Sequence, residues 1–286
     1  MLPEQMPVPP AGMVMPASYE PIFIANVVLL AFVAAWVLRM AMRMKSPVPV
    51  IIMLGATLAT GTESMWDNLD AVWYAAIGQT PLYRGFDVSV PGWVLLAYAW
   101  YMGGISCWVY QRLHQGMSRR MFWTVYFFGW LANCVLEMPA LHMGIYAYYG
   151  AQPFVLFGFP FWQAMGNALT PLLTAALIYA CRSEFSGLGS LLIIPTYPAG
   201  LIFALGGIGW PTMLALHSGL GYRATYPAAT ASFLIALMLG HVASRKVCRP
   251  GAARAGSYQT DGIRRWAFLR RACSSPCTAS KKGLSV

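Results

Sequence analysis

Charge is what this 286-residue sequence has least of: 10% of its residues are charged and 58% are hydrophobic. A soluble domain carries about 25% charged residues, so an ordinary soluble domain is excluded. Histidine is scarce too. Its four residues are too few for the His-rich cluster of membrane di-iron oxygenases. The six cysteines are scattered and form no CxxC pair, which rules out a disulfide framework. No GxSxG or Walker motif marks a hydrolase or an NTPase. The last apolar stretch has no Lys for a retinal Schiff base, and Tyr110, Gln111 and Arg112 stand where a common seven-helix receptor carries DRY.

Apolar runs are what the sequence has in abundance. A spanning helix needs roughly 20 mostly apolar residues. Seven stretches qualify: Pro21–Leu38, Val48–Asp67, Pro91–Tyr110, Met121–Met138, Phe161–Cys181, Leu188–Ile208 and Tyr226–Val242. The expected fold class is therefore all-α, a polytopic bundle of seven transmembrane helices over residues 21–243. Residues 1–20 form an outer segment without Lys or Arg, which lacks the basic start of a cleaved signal. The first helix then reads as a retained anchor.

The basic residues orient the bundle. All except Arg84 and Arg223 fall on alternate connections or in the tail. By the positive-inside rule the N-terminus is outside and the C-terminus cytoplasmic. The formal charge of +10 resides almost wholly in residues 244–286, a basic tail expected to be disordered. Within it Ile263–Arg271 suits an anionic lipid surface; an unselected solvated tail is the open alternative. A nucleic-acid partner falls away, because residues 1–243 are nearly neutral.

The acids gather on the opposite side. Depth along the helices places Glu63 about 22 Å and Glu137 about 24 Å up a core of about 30 Å. Gln163 and Asn167 lie about 3–9 Å below the outer boundary and Tyr98 about 10 Å below it, with Tyr101 slightly deeper. Glu63, Asp67 and Asp70 are spaced i, i+4, i+7, which is one helical face. Asn133 and Glu137 share a face in the same way, as do Gln163 and Asn167. Carboxyls are costly in hydrocarbon, so those of Glu63 and Glu137 should face the bundle interior or a wet cavity. Other readings remain open at several positions. Asp67 can be a plain helix end, Asp70 and Asp87 interfacial and solvated, and Asn133, Gln163 and Asn167 interhelical glue. The outer connections near 68–90, 139–160 and 209–225 read as long and aromatic, and Pro195 and Pro198 as a break in the sixth helix.

Two resemblances bear on these residues. Asp67 and Asp70 resemble the DxxD of membrane prenyltransferases, but those families carry two such motifs on cytoplasmic loops. A small seven-helix chain with isolated carboxyls in two helices resembles the integral-membrane terpene cyclases of meroterpenoid pathways. Glu137 followed by Gly144, Tyr146 and Tyr148 resembles the Glu…Gly-x-Tyr-x-Tyr pattern of membrane lycopene-cyclase and related carotenoid-modifying proteins. The PxEE pair of lycopene cyclases and the Trp-Glu-Phe context of fungal cyclases are absent.

The second resemblance implies a membrane-embedded cyclase acting on a hydrophobic terpenoid or polyprenyl substrate within the lipid bilayer. Glu63 or Glu137 would donate a proton to an alkene or epoxide. A second carboxylate, Asp67 among them, or His142 would take the final proton. Trp66, Tyr98, Tyr101, Tyr146, Gln163 and Asn167 would bind substrate and shelter the cation. No cofactor and no metal is implied. A proton-coupled carrier of a small solute and a non-catalytic accessory subunit are the alternatives.

Overall fold

The computed structural model describes residues 7–17 and 19–249. It is mostly helical, with four helices long and apolar enough to cross a membrane: Tyr19–Met44, Val48–Leu69, Gly187–Leu216 and Tyr222–Val247. The basic tail lies largely outside the described residues. Its expected start at Ser244 is corrected, because the last helix runs on to Val247.

In chain order the helices are α1 (Tyr19–Met44), α2 (Val48–Ala59), α3 (Glu63–Leu69), α4 (Gly92–Ala97) and α5 (Gly104–His114). Then come α6 (Arg119–His142), α7 (Phe161–Ala180), α8 (Ile193–Leu216) and α9 (Tyr222–Val247). The stretches at Pro91–Tyr110, Met121–Met138 and Phe161–Cys181 are helical as expected. They carry the buried polar side chains Ser106, Asn133, Gln163, Thr170 and Thr174. Helix α7 is the centre of the bundle, with most of its residues buried and α5, α6, α8 and α9 packed around it.

Two departures from regular α-helix position side chains for the site. A 3-10 turn at Thr60–Thr62 separates α2 from α3 and swings Glu63. A π segment, Tyr98–Gly103, joins α4 to α5. Widening of this kind is common at functional sites because it frees backbone groups and re-aims side chains. Here Tyr197 of α8 donates to the Met102 carbonyl at 3.0 Å and so ties the segment to the core.

The all-α expectation holds for the bundle but misses a small β cap. Strands β1 (Val72–Tyr74) and β4 (Tyr146–Tyr148) pair antiparallel, with Val72 opposite Tyr148 and Tyr74 opposite Tyr146. Strands β2 (Pro81–Gly85) and β3 (Val88–Pro91) form a hairpin, and β5 (Val155–Leu156) pairs with β6 (Phe159–Pro160). Aromatic and β-branched residues suit such strands. The β1–β4 pair joins the chain after α3 to the chain after α6, two segments some seventy residues apart in sequence.

Two further expectations are corrected. The sixth helix is not broken: Pro195 sits in the first turn of α8, where its missing N–H costs nothing, and Pro198 and Pro211 are accommodated inside it. The connection expected over 209–225 is short, because α8 continues to Leu216 and α9 starts at Tyr222. At the far end of the bundle, Arg249 donates its backbone N–H to the Met117 carbonyl at 3.1 Å, and His114 packs on Tyr179. Basic residues from α5, α6 and α9 thus share the end opposite the β cap.

Candidate functional site

Beneath the β cap lies a cavity of about 360 Å³. Its walls come from α1, α3, β1, α4, the π segment, α6, β4 and α7. Four carboxyls line it: Glu63, Asp67, Asp70 and Glu137. None of its lining residues is basic. The remaining wall is aromatic and aliphatic.

Glu63 and Glu137 are each held by tyrosines. Glu63 accepts from the Tyr74 hydroxyl at 2.7 Å and from the Tyr98 hydroxyl at 2.5 Å. Glu137 accepts from Tyr146 at 2.5 Å and from Tyr148 at 3.4 Å. Its other oxygen accepts from Asn133 at 3.2 Å and Asn167 at 3.4 Å. Every one of these bonds is donated to the carboxyl, so both carboxyls are held as acceptors. Burial pushes the hydroxyls of Tyr74, Tyr146 and Tyr148 well above the usual tyrosine range, and the nearby carboxylates add to this. These tyrosines keep their protons and serve as donors.

Asp67 and Asp70 differ. Asp67 is 3% exposed, and its Oδ2 has no hydrogen-bond partner among the described residues. Asp70 is 1% exposed. Its Oδ2 accepts from Gln163 at 2.7 Å, while its Oδ1 is unpartnered. Burial raises the Asp70 carboxyl to about 7; the Gln163 bond works against this and the Glu63 charge adds to it. Asp70 therefore changes charge near neutral pH. The expectation of a solvated, interfacial Asp70 is corrected, because the β cap and the loop after β4 cover it.

That loop contributes a residue that the sequence did not single out. Gln152 is buried; its Nε2 donates to the Asp70 carbonyl at 2.7 Å and its Oε1 accepts from Trp162 at 3.1 Å. His217, at the end of α8, lies 3.0 Å from the Asn68 carbonyl through its Nε2, where it can cap α3. The signal for Asp70 was present in the i, i+4, i+7 spacing; the signal for Gln152 was not.

The structure brings Glu63, Glu137, Asp67, Tyr98, Tyr101, Tyr146, Gln163 and Asn167 onto one cavity. It does not bring His142 or Trp66 there. His142 ends α6 exposed to the outside, and Trp66 is turned into the core with its Nε1 donating to Thr62 at 3.0 Å. The roles expected for these two are corrected on that ground. Asp87 sits on an exposed β2–β3 turn, away from the cavity.

Among the described residues no three His, Cys, Asp or Glu side chains converge closely enough to hold a metal ion. A cavity with four acids, no base and many aromatic faces favours positive charge over an anionic head group. No family model, curated protein or solved structure matches this chain.

Proposed function

We propose that this protein is a membrane-embedded cyclase that folds a lipid-soluble terpenoid or polyprenyl chain by proton-initiated carbocation chemistry. In this reading the bundle crosses the bilayer seven times, with the N-terminus outside and the carboxyl layer in the outer leaflet. The distribution of basic residues supports that orientation. The observation that carries the reading is the unpartnered Oδ2 of Asp67, set in an aromatic cavity with the tyrosine-held carboxyls of Glu63 and Glu137.

The roles follow from the hydrogen bonds. Asp67 is the acid, because no donor compensates a charge on its free oxygen. Its O–H bond breaks as a C–H bond forms at a substrate alkene, leaving a cation on the neighbouring carbon. An internal alkene attacks that cation and closes a ring. The aromatic faces of Trp93, Tyr98 and Tyr101 shelter the charge. The final C–H proton goes to Glu137 or Glu63, whose donors hold them as acceptors. Substrate and product are isomers, and one proton enters as another leaves. His142 drops out of the scheme.

The test is turnover in heavy water. Purified protein in lipid nanodiscs receives farnesyl- and geranylgeranyl-quinols. A cyclised product carrying one deuteron at a ring carbon is expected. Cyclised product without deuterium, or no product from any of them, would overturn the reading.

A further inference from the structure

A second apolar depression of about 470 Å³ lies along the helices between α1 and α6. Its floor is built from α5, α6 and α7, with the small residues Gly129, Ala132 and Ala168 leaving the space. Trp100 and Tyr101 of the π segment line both this groove and the acid cavity. The groove and the cavity therefore adjoin across these two side chains.

The side walls explain why the gap stays open. Helix α1 packs against α2 and the π segment, and α6 packs against α7 and α9. Asn26 accepts from the Trp100 indole at 2.8 Å and fixes α1 at the cavity level. Farther down, α1 leans in over Gly104, where an added Cβ would meet Val33 at 2.9 Å. Trp36 and Trp108 stand at the lower end. Along α6 the distance from Glu137 to Thr124 is about 20 Å, some two thirds of a hydrocarbon core of about 30 Å. The hydroxyl of Tyr101 is buried at the junction without a partner among the described residues.

We infer that this groove holds the hydrocarbon tail of the substrate, so that the substrate is a single-tailed isoprenoid lipid that enters sideways between α1 and α6. The inference rests on the cyclase reading for what happens at the head and adds where the tail lies. A groove of about 470 Å³ has room for one chain and not for the paired acyl chains of a phospholipid. Since the groove adjoins the cavity at Trp100 and Tyr101, a tail lying in it has its reacting end on the side of the carboxyls and its far end beside Trp36 and Trp108. The free Tyr101 hydroxyl marks where a polar or unsaturated head passes into tail.

The test is photocrosslinking with geranylgeraniol carrying a diazirine at its far end, in nanodiscs of saturated phosphatidylcholine. Saturable labelling of residues 124–132 on α6 or 33–36 on α1 is expected. Val125→Phe, about 18 Å from Glu137 along α6, should weaken binding of twenty-carbon geranylgeraniol by about tenfold, which is a loss of about 1.4 kcal/mol, and leave ten-carbon geraniol within about twofold. The retained geraniol binding shows that the variant is folded. Labelling spread over the whole lipid-facing surface, no saturable labelling, or equal losses for both alcohols would overturn the inference. Turnover does not enter the readout, so failure to find cyclised product would remove the cyclase reading and leave the tail site standing.

Discussion

Tyr74 and Tyr146 stand opposite each other in the β1–β4 ladder, with ring centroids 5.6 Å apart, and each gives its hydroxyl to a different carboxylate. Tyr74 donates to Glu63 and Tyr146 to Glu137. Cross-strand partners point to the same face of a sheet, so one short ladder fixes both acceptors in one cavity. Replacing either by Phe removes a charge-assisted bond worth about 1.5–3 kcal/mol. The expected result is a fall in kcat of about tenfold to a hundredfold with little change in KM. A double variant no worse than the singles would show that the pair acts as a unit. Loss of KM alone, with kcat intact, would contradict the role.

Asp67→Asn should be the most damaging change at the site. It keeps the shape and removes the acidic proton. General acid catalysis contributes about 10²–10⁴-fold, and a loss of that order is expected in the nanodisc turnover assay. Glu63→Gln and Glu137→Gln should each slow the reaction less than this, and at least as much as removing the tyrosine hydroxyl that holds the same carboxylate. Full activity of Asp67→Asn would sink the assignment of the acid.

Asp70 makes stability depend on pH. Its carboxyl is raised from 3.8 to about 7 in the folded protein, chiefly by burial. Between these values the folded state holds a proton that the unfolded chain has lost. The contribution to stability is therefore complete below 3.8 and is lost as pH rises through about 7. Thermal melts across this range should show a falling Tm, and Asp70→Asn should flatten the profile while keeping the Gln163 bond. A Tm that rises with pH in the native protein and is unchanged in the variant would refute this.

Much of this arrangement was legible in the sequence. Long apolar runs dictate helices, and the positions of Glu63 and Glu137 along them placed both carboxyls at one level. The spacing of Glu63, Asp67 and Asp70 already put three acids on one face. The β cap was not legible, because Val72–Tyr74 and Tyr146–Tyr148 are three residues each and their pairing depends on where α3 and α6 end. His142 was misplaced for a related reason: its nearness to Glu137 in sequence says nothing about facing, and it lies on the exposed side of α6. The burial of Asp70 is not legible in the sequence, because its cover comes from a loop more than eighty residues away.

That loop supplies a prediction about folding. Gln152 bridges the Asp70 carbonyl and the Trp162 indole, both buried. Gln152→Leu would leave a carbonyl and an indole N–H unpaired, and each such orphan costs about 1–3 kcal/mol. A lower Tm and faster proteolysis of the 150–160 loop are expected. Gln152→Glu should restore the Trp162 bond but not the one to the Asp70 carbonyl, giving an intermediate Tm. Equal stability of all three forms would show that the loop is held by other contacts.

A close approach between α2 and α8 gives the last test. An added Cβ on Gly55 of α2 would lie 2.7 Å from the Tyr197 Cβ and 3.2 Å from the Ile193 carbonyl of α8. Real carbons do not come so near, and neither partner is a flexible side-chain end. Small residues at helix contacts let backbones pack closely where no hydrophobic force separates protein from lipid. Gly55→Ala must therefore push α2 from α8. Overpacking of this kind costs about 1–3 kcal/mol. The effect should reach the site, because Tyr197 also anchors the π segment through the Met102 carbonyl, and that segment carries Tyr98 to Glu63. Gly55→Ala is expected to lower both Tm and kcat, whereas Gly61→Ala, with nothing within 4 Å of its added Cβ, should change neither. If Gly55→Ala lowered Tm and left kcat unchanged, the link from α8 through Met102 to Tyr98 would be broken.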